Sequence, residues 1–428
     1  MSDGATILSE VDHDQRWRDR LLNLAAKQLA GPVVPSFNSV LQAMSGADPV
    51  LVQSLISELA DTSSLDVRDR CRAVLADCRR ANTSSPVVED HLLPPPHPLD
   101  YEWRFTHDTR TQLASTALIR SPRSVLLLGC PTVAITLLSS HSDFRLTLVD
   151  DNPALPLLSN FVEGDHPRYR QVRADLTSTP NVTAGLRADV VIADAPFYPD
   201  AMAGFLHAAV AGTRQRGRIL FALPPSGTRP TAKRDVGNFH RLAREAGLSH
   251  VSTRQGAVRY LRPPFERNAH RSAGLLSVED DWRAADLATF VRGPDPATLS
   301  KPEGSSERSR WQEVVVTGKR WRVRVDEHSS AAVEGLLRKV STSAILDTVS
   351  QRDSRRQLAN VCTDDNEYFV TTNPSLLIQV LTSVIRGCDP VTQVGDSLGR
   401  PLTPMEHSEV RLLRELIEYR SMRPLTSD

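Results

Sequence analysis

The stretch "SVLLLGCPTVAITLL", residues 124–138, decides how the rest of the chain is read. Val125 to Leu128 are apolar without alternation, as in a strand covered on both faces, and Gly129 closes the run. Pro131 then stands where a helix begins, because the first helical residue has no use for an amide hydrogen. A buried strand turning into a helix is the opening unit of a parallel α/β sheet. Four similar runs follow outward: "FRLTLVDD" (144–151), "YRQVRAD" (169–175), "ADVVIAD" (188–194) and "GRILFALPP" (217–225). Helical stretches such as "AMAGFLHAAVAGT" (201–213) and "VGNFHRLAREAGL" (236–248) separate them, and "VRYLRPPFE" (258–266) reads as a last strand. The expected fold class is α/β, a mostly parallel sheet with helices on both faces.

At 428 residues the chain exceeds one ordinary domain. Helical periodicity fills residues 1–82, with Asp48 and Pro49 as an N-cap and first-turn pair. A proline-rich linker over 83–98 leads to the sheet domain at 99–291, and a Pro/Gly/Ser-rich linker spans 292–310. A small C-terminal α/β domain fills 311–428. It opens on a hairpin around Thr317-Gly318-Lys319, continues with two helical segments and a strand at "EYFVTT", and closes on a helix started by a Thr403–Glu406 capping box. Lys plus Arg equals Asp plus Glu at 51 each, so total charge selects no partner. Five cysteines, none in a C-x-x-C pair, suit reduced thiols, and Cys71 and Cys78 suit one buried helix face. The twelve histidines form no metal-ligand spacing, so no metal site is expected. With no apolar run near about 20 residues and no leader-like N-terminus, the expectation is a cytoplasmic protein with no membrane span. The outer domains leave room for an oligomer or a protein partner.

Ligands of open parallel sheets bind beyond the carboxyl ends of the strands. Those ends here are "GCPT" (129–132), "DDNP" (150–153), "AD" (174–175) and "DAPFYP" (194–199). Asp150, 21 residues after Gly129, stands where a carboxylate accepts bonds from ribose hydroxyls, with Asp151 as its neighbour. Gly129, Cys130 and Pro131 offer one glycine and a residue without an N–H, which suits a ligand of low anionic demand and speaks against a dinucleotide. Asp194 closes a buried strand, where an unpartnered carboxylate costs several kcal/mol. It can accept an amino N–H while Phe197 or Tyr198 packs a flat or apolar substrate. With Asp175 and Asp200 these carboxylates would form an acidic rim attractive to a cation.

The order of strand ends resembles the S-adenosylmethionine-dependent methyltransferase superfamily, and "DAPF" (194–197) resembles that superfamily's D-P-P-Y motif. "DYEWRFT" (100–106), "LLLGCPT", "VVIADAPFYPDAMAGFL" and "YLRPPFE" are similar to the bis(aminopropyl)spermidine synthase group, over residues 99–270. The resemblance implies a Rossmann-like transferase domain using S-adenosylmethionine or its decarboxylated form, which moves a methyl or aminopropyl group to an amine. It puts Gly129 at the cofactor turn, Asp150 on the ribose, Asp175 near the adenine and Asp194 as acceptor for the attacking amine; beside these the residues themselves offer Pro131 and Asp151 on the cofactor side and Phe197 and Tyr198 on the substrate side. The chain departs from it in its glycine-poor turn and in Ala195, which replaces the first proline of D-P-P.

Residues 214–271 hold thirteen Arg or Lys against three acids, and Arg320, Arg322 and Arg324 alternate along one strand. Such faces grip phosphates or are simply solvated. Two acceptors therefore remain open, a small-molecule amine and a nucleic-acid base amino group. The alternative function is a catalytically degenerate Rossmann-like binding or scaffold protein. Tyr101, Trp103 and Phe105 alternate before the first strand, so one side covers the sheet edge or the cofactor.

Overall fold

The computed structural model describes residues 3–80, 93–100, 102–140, 143–152, 155–159, 168–294, 310–325, 333 and 335–422. Tyr101, most of the proline-rich stretch before residue 93 and most of the 292–310 linker lie outside the described residues. The described residues divide into two compact units, a larger one within 1–94, 103–262 and 275–305, and a smaller one within 95–102, 263–274 and 306–428.

In the larger unit, helices α1 (Asp3–Leu29), α2 (Phe37–Ala43), α3 (Pro49–Thr62) and α4 (Leu65–Cys78) precede the sheet. Asp48 caps α3 through Val50 N at 2.8 Å, with Pro49 at its first position. Cys71 and Cys78 are fully buried, and burial raises both thiol pKa values. Gly227 ties this helical part to the loop after the fifth strand. Its amide donates to the Ser45 carbonyl at 3.0 Å, and a Cβ there would stand 1.9 Å from the Met44 carbonyl oxygen.

The sheet has seven strands: β1 (Ser124–Leu128), β2 (Arg145–Asp150), β3 (Tyr169–Arg173), β4 (Ala188–Asp194), β5 (Thr213–Leu223), β6 (Leu248–Arg259) and β7 (Ala284–Arg292). Their order is β3-β2-β1-β4-β5-β7-β6, and β7 alone runs antiparallel to its neighbours. Alternation along each strand splits the core into two layers. Leu127, Val133, Leu148, Ile192 and Leu220 pack on the face covered by α5 (His107–Leu118) and α6 (Pro131–Leu138). Leu126, Leu128, Val191, Phe205, Phe221 and Phe239 fill the other face under α8 (Pro199–Gly212) and α9 (Ala232–Glu245), while a short α7 (Leu155–Ser159) follows β2. The parallel register, Leu128 opposite both Val149 and Ala193, sets the ends of β2 and β4 on either side of the β1 turn.

Two readings of the sequence are corrected here. "VRYLRPPFE" is not one strand: β6 ends at Arg259, and Pro264 opens helix α10 (Pro264–Ser272) in the smaller unit. The true last strand, β7, went unread. Its partner β6 lies at the sheet edge with Ser249 to Arg254 exposed, so neither carries the doubly apolar signal of the inner strands.

The smaller unit holds a five-stranded antiparallel sheet ordered β10-β12-β11-β9-β8. Its strands are β8 (Trp311–Val316), β9 (Lys319–Arg324), β10 (Arg338–Lys339), β11 (Val361–Thr363) and β12 (Tyr368–Val370). The helices α11 (Ser354–Leu358), α12 (Pro374–Arg386), α13 (Pro390–Leu398) and α14 (Pro404–Met422) accompany it. The β8–β9 hairpin turns at Thr317 and Gly318, both with positive φ. The α14 capping box forms, with Thr403 N donating to Glu406 at 2.8 Å and Glu406 N to the Thr403 hydroxyl at 3.3 Å. The helical segments read after the hairpin reduce, among the described residues, to the five-residue α11.

The arginine face of β9 is also corrected. Arg322 pairs with Asp100 at 2.5 Å and Glu313 at 2.8 Å, and Arg320 lies 3.7 Å from Asp100. Buried guanidiniums need such partners, and these are taken up within the unit. Much of the 214–271 basic stretch is committed in the same way. Arg229 pairs with Asp235 at 2.9 Å, Arg262 with Asp280 at 2.9 Å, and Arg218 donates to the carbonyls of Thr116, Ala117 and Ile119. No helix among the described residues is long and apolar enough to cross a membrane, and no group of three metal-ligating side chains occurs among them.

Candidate active site

Three chain turns build the site. The first is the β1–α6 turn. Gly129 has φ +69°, and its amide is committed to the Val149 carbonyl at 3.0 Å. A Cβ at Gly129 would stand 2.7 Å from the Asp194 carbonyl oxygen and 3.0 Å from Phe205, so glycine lets this turn lie directly against the end of β4. Pro131 opens α6, as its missing N–H allows. Gly129→Ala should cost about 2 kcal/mol through left-handed strain and backbone overlap; a urea midpoint shift measures it.

The second turn follows β2. Asp150 is half-buried and accepts the Asn152 amide at 2.9 Å, while Asp151 is exposed. The fully buried Cys130 thiol of the first turn is pushed well above its usual pKa by burial and then by the charges of Asp194 and Asp150. Asp150 and Asp194 end the two strands that flank β1. Asp175 is engaged locally: its Oδ1 accepts Thr177 N at 2.9 Å and the Thr177 hydroxyl at 2.6 Å, closing the turn after β3. Asp200 is exposed in the first turn of α8.

The third turn carries Asp194 out of β4. Ala195 is buried, Phe197 and Tyr198 are half-buried, and Tyr198 is the residue before α8. Apolar surroundings raise the Asp194 carboxyl to about 7, against one opposing hydrogen bond. That bond comes from Tyr260, whose hydroxyl donates to Asp194 Oδ1 at 2.6 Å. Tyr260 is buried beside Phe105, with ring centroids 5.2 Å apart, and meets Phe197 edge-on at 6.4 Å. Burial and Asp194 hold its phenol well above 10, so it remains a donor at every working pH. Tyr260 was not among the sequence candidates, although it lies in the "YLRPPFE" stretch. Its separation from Asp194 by 66 residues and two intervening strands hid the contact.

A carboxyl that titrates near neutrality and is fixed at one oxygen by a buried tyrosine can hold and deprotonate a weakly basic donor at its other oxygen. Asp150 on the same face offers an acceptor for paired hydroxyls.

No family model and no curated protein sequence matches the chain. Solved structures do. The branched-chain polyamine synthase from Thermus thermophilus, in complex with N4-aminopropylspermidine and 5'-methylthioadenosine, aligns with a TM-score of 0.50 at 12% identity, covering 67% of this chain and 91% of that one. Its C9 mutein, with the same two compounds, gives 0.50 at 12% identity over 69% and 96%. This chain shares the fold of these two structures, a Rossmann-like α/β sheet. The mostly parallel sheet with helices on both faces is the arrangement expected from the sequence; the β6–β7 pair at its edge is added by the structure.

Proposed function

We propose that the protein is a transferase that alkylates an amine nitrogen, using S-adenosylmethionine or its decarboxylated form. The observation that carries this reading is the Asp194 carboxyl, set at the end of β4, raised to about 7 and held by Tyr260 beside Phe197. The fold shared with a synthase solved together with a branched polyamine and 5'-methylthioadenosine supports it.

The residues fit the cofactor. A nucleoside without phosphates needs few backbone donors, and the β1–α6 turn offers few, since Gly129 N is committed to Val149 and Pro131 has none. Asp150, half-buried at the end of β2, would take the ribose hydroxyls, with Asp151 beside it. Asp175, at the end of β3, would border the adenine. When bound, the group supplies an electrophilic carbon on a sulfonium. The chain's own contribution is positional. Asp194 accepts an N–H of the neutral amine, orients its lone pair and takes the proton it sheds. Phe197 and Tyr198 pack the body of the acceptor and keep water away from the nitrogen.

The test is a product assay. The full chain, given each cofactor with a panel of polyamines and aromatic amines, should release 5'-methylthioadenosine or S-adenosylhomocysteine with a matching alkylated amine by mass spectrometry. Release with no amine, under conditions where a control transferase turns over, would count against it. The scaffold reading is favoured if neither cofactor binds.

A further inference from the structure

The segment "WRFT" (103–106) precedes the helix α5 and supplies Phe105, which packs on Tyr260. In the structure it is sewn to the end of β6. Thr106 N donates to the Arg259 carbonyl at 3.0 Å, and Leu261 N donates to the Arg104 carbonyl at 2.7 Å. Arg259 N donates to the Thr109 hydroxyl at 3.0 Å. Phe105 and Tyr260 thus face one another across an antiparallel bridge. On the other side Tyr260 N donates to the Arg283 carbonyl at 3.0 Å, and the Arg283 guanidinium sits 4.8 Å from the rings of both Trp103 and Trp282. The tyrosine backbone is therefore held from two sides, and its ring is held by Phe105 and Phe197.

We propose that this two-stranded clasp exists to present Tyr260 as the positioning residue of the active site, its hydroxyl fixing Asp194 Oδ1 so that Oδ2 receives the acceptor amine. The inference rests on the transferase reading and adds to it the residue that sets the carboxyl's plane and its proton affinity. A free carboxyl at a strand end rotates about χ2 and offers either oxygen. A short bond from a buried phenol removes that freedom and favours the ionised form. The groups facing the carboxyl are Tyr260 from the end of β6 and the Cys130 thiol from the β1–α6 turn; Asp150 acts on the thiol from β2, and Arg283 on Tyr260 from just before β7. Cys130 and Tyr260 stay neutral in the range where Asp194 titrates, so Tyr260→Phe removes a donor without adding or deleting a charge.

The deciding experiment does not need turnover. Difference infrared titration of the full chain carrying carboxyl-labelled aspartate should show a carboxyl band titrating near pH 7 that is absent in Asp194→Asn. In Tyr260→Phe its midpoint should move upward, and with a fluorinated tyrosine at position 260, a stronger donor of the same shape, it should move downward. A merely packed ring would move the midpoint in neither. Kinetically, Tyr260→Phe should lower kcat about tenfold with KM little changed, and move the acid limb of the profile to higher pH. An unchanged midpoint in both variants overturns the clasp's role while leaving the transferase reading intact. Absence of turnover in every variant, with the midpoint shifts present, removes the transferase reading and keeps the Tyr260–Asp194 coupling.

Discussion

Asp194→Asn is expected to lose amine transfer by about two to four orders of magnitude, the range over which a positioned proton acceptor contributes. The amide side chain keeps the size and one acceptor oxygen, so Tyr260 retains a partner and the aromatic surroundings stay filled. It no longer accepts a proton, and its NH2 group faces the substrate with a donor where the amine needs an acceptor. The loss should fall on kcat more than on cofactor affinity, because the proposed ribose acceptor is Asp150, at the end of a different strand. For the parent protein, the fraction of ionised Asp194 rises as pH rises through about 7, so activity should climb on that acid limb. A variant that keeps more than half the parental kcat would remove Asp194 from the chemistry.

The same substitution should stabilise the fold, with a pH dependence whose sign is fixed by the carboxyl's environment. Desolvation raises Asp194 from 3.8 to about 7 in the folded chain. Between those values the native state holds a proton that the unfolded chain has released, so this group's contribution falls as pH rises through the window. The penalty is complete above about pH 7. At 1.36 kcal/mol per unit, and allowing for the group's partial exposure, it amounts to about 2–4 kcal/mol. Asparagine carries no such penalty. Urea unfolding should therefore find Asp194→Asn more stable than the parent by that amount at pH 8, and nearly equal to it at pH 4. A destabilised variant at pH 8, or an equal gain at both pH values, would contradict the account. A site that weakens the fold while serving chemistry is the expected pattern for a functional carboxyl.

The inner sheet was legible in the sequence because β1, β4 and β5 are buried on both faces. The apolar runs 125–128, 190–193 and 219–223 carry no competing pattern. The candidate carboxylates followed from that reading, since strand ends in a parallel sheet share one edge. Asp150 and Asp194 end β2 and β4, the strands on either side of β1. The edge pair β6–β7 was not legible. β6 exposes Ser249 to Arg254 to solvent, and its bulges break any period-two alternation. Tyr260 was hidden for the same reason, because its approach to Asp194 depends on where that edge strand ends. Asp175 illustrates a different limit: its position in the strand order was read correctly, but the Thr177 two residues on captures one of its oxygens. Arg320 and Arg322 alternate as the sequence indicates, yet alternation does not say which face is covered, and Asp100 and Glu313 complete that face.

Whether the chain binds a sulfonium nucleoside is decided by calorimetric titration of the full chain with S-adenosylmethionine and with its decarboxylated form. At least one of them should bind saturably at micromolar concentration, about tenfold or more weaker in Asp150→Ala and little changed in Asp194→Asn. No heat of binding for either compound at millimolar concentration, from a chain shown to be folded, would contradict it.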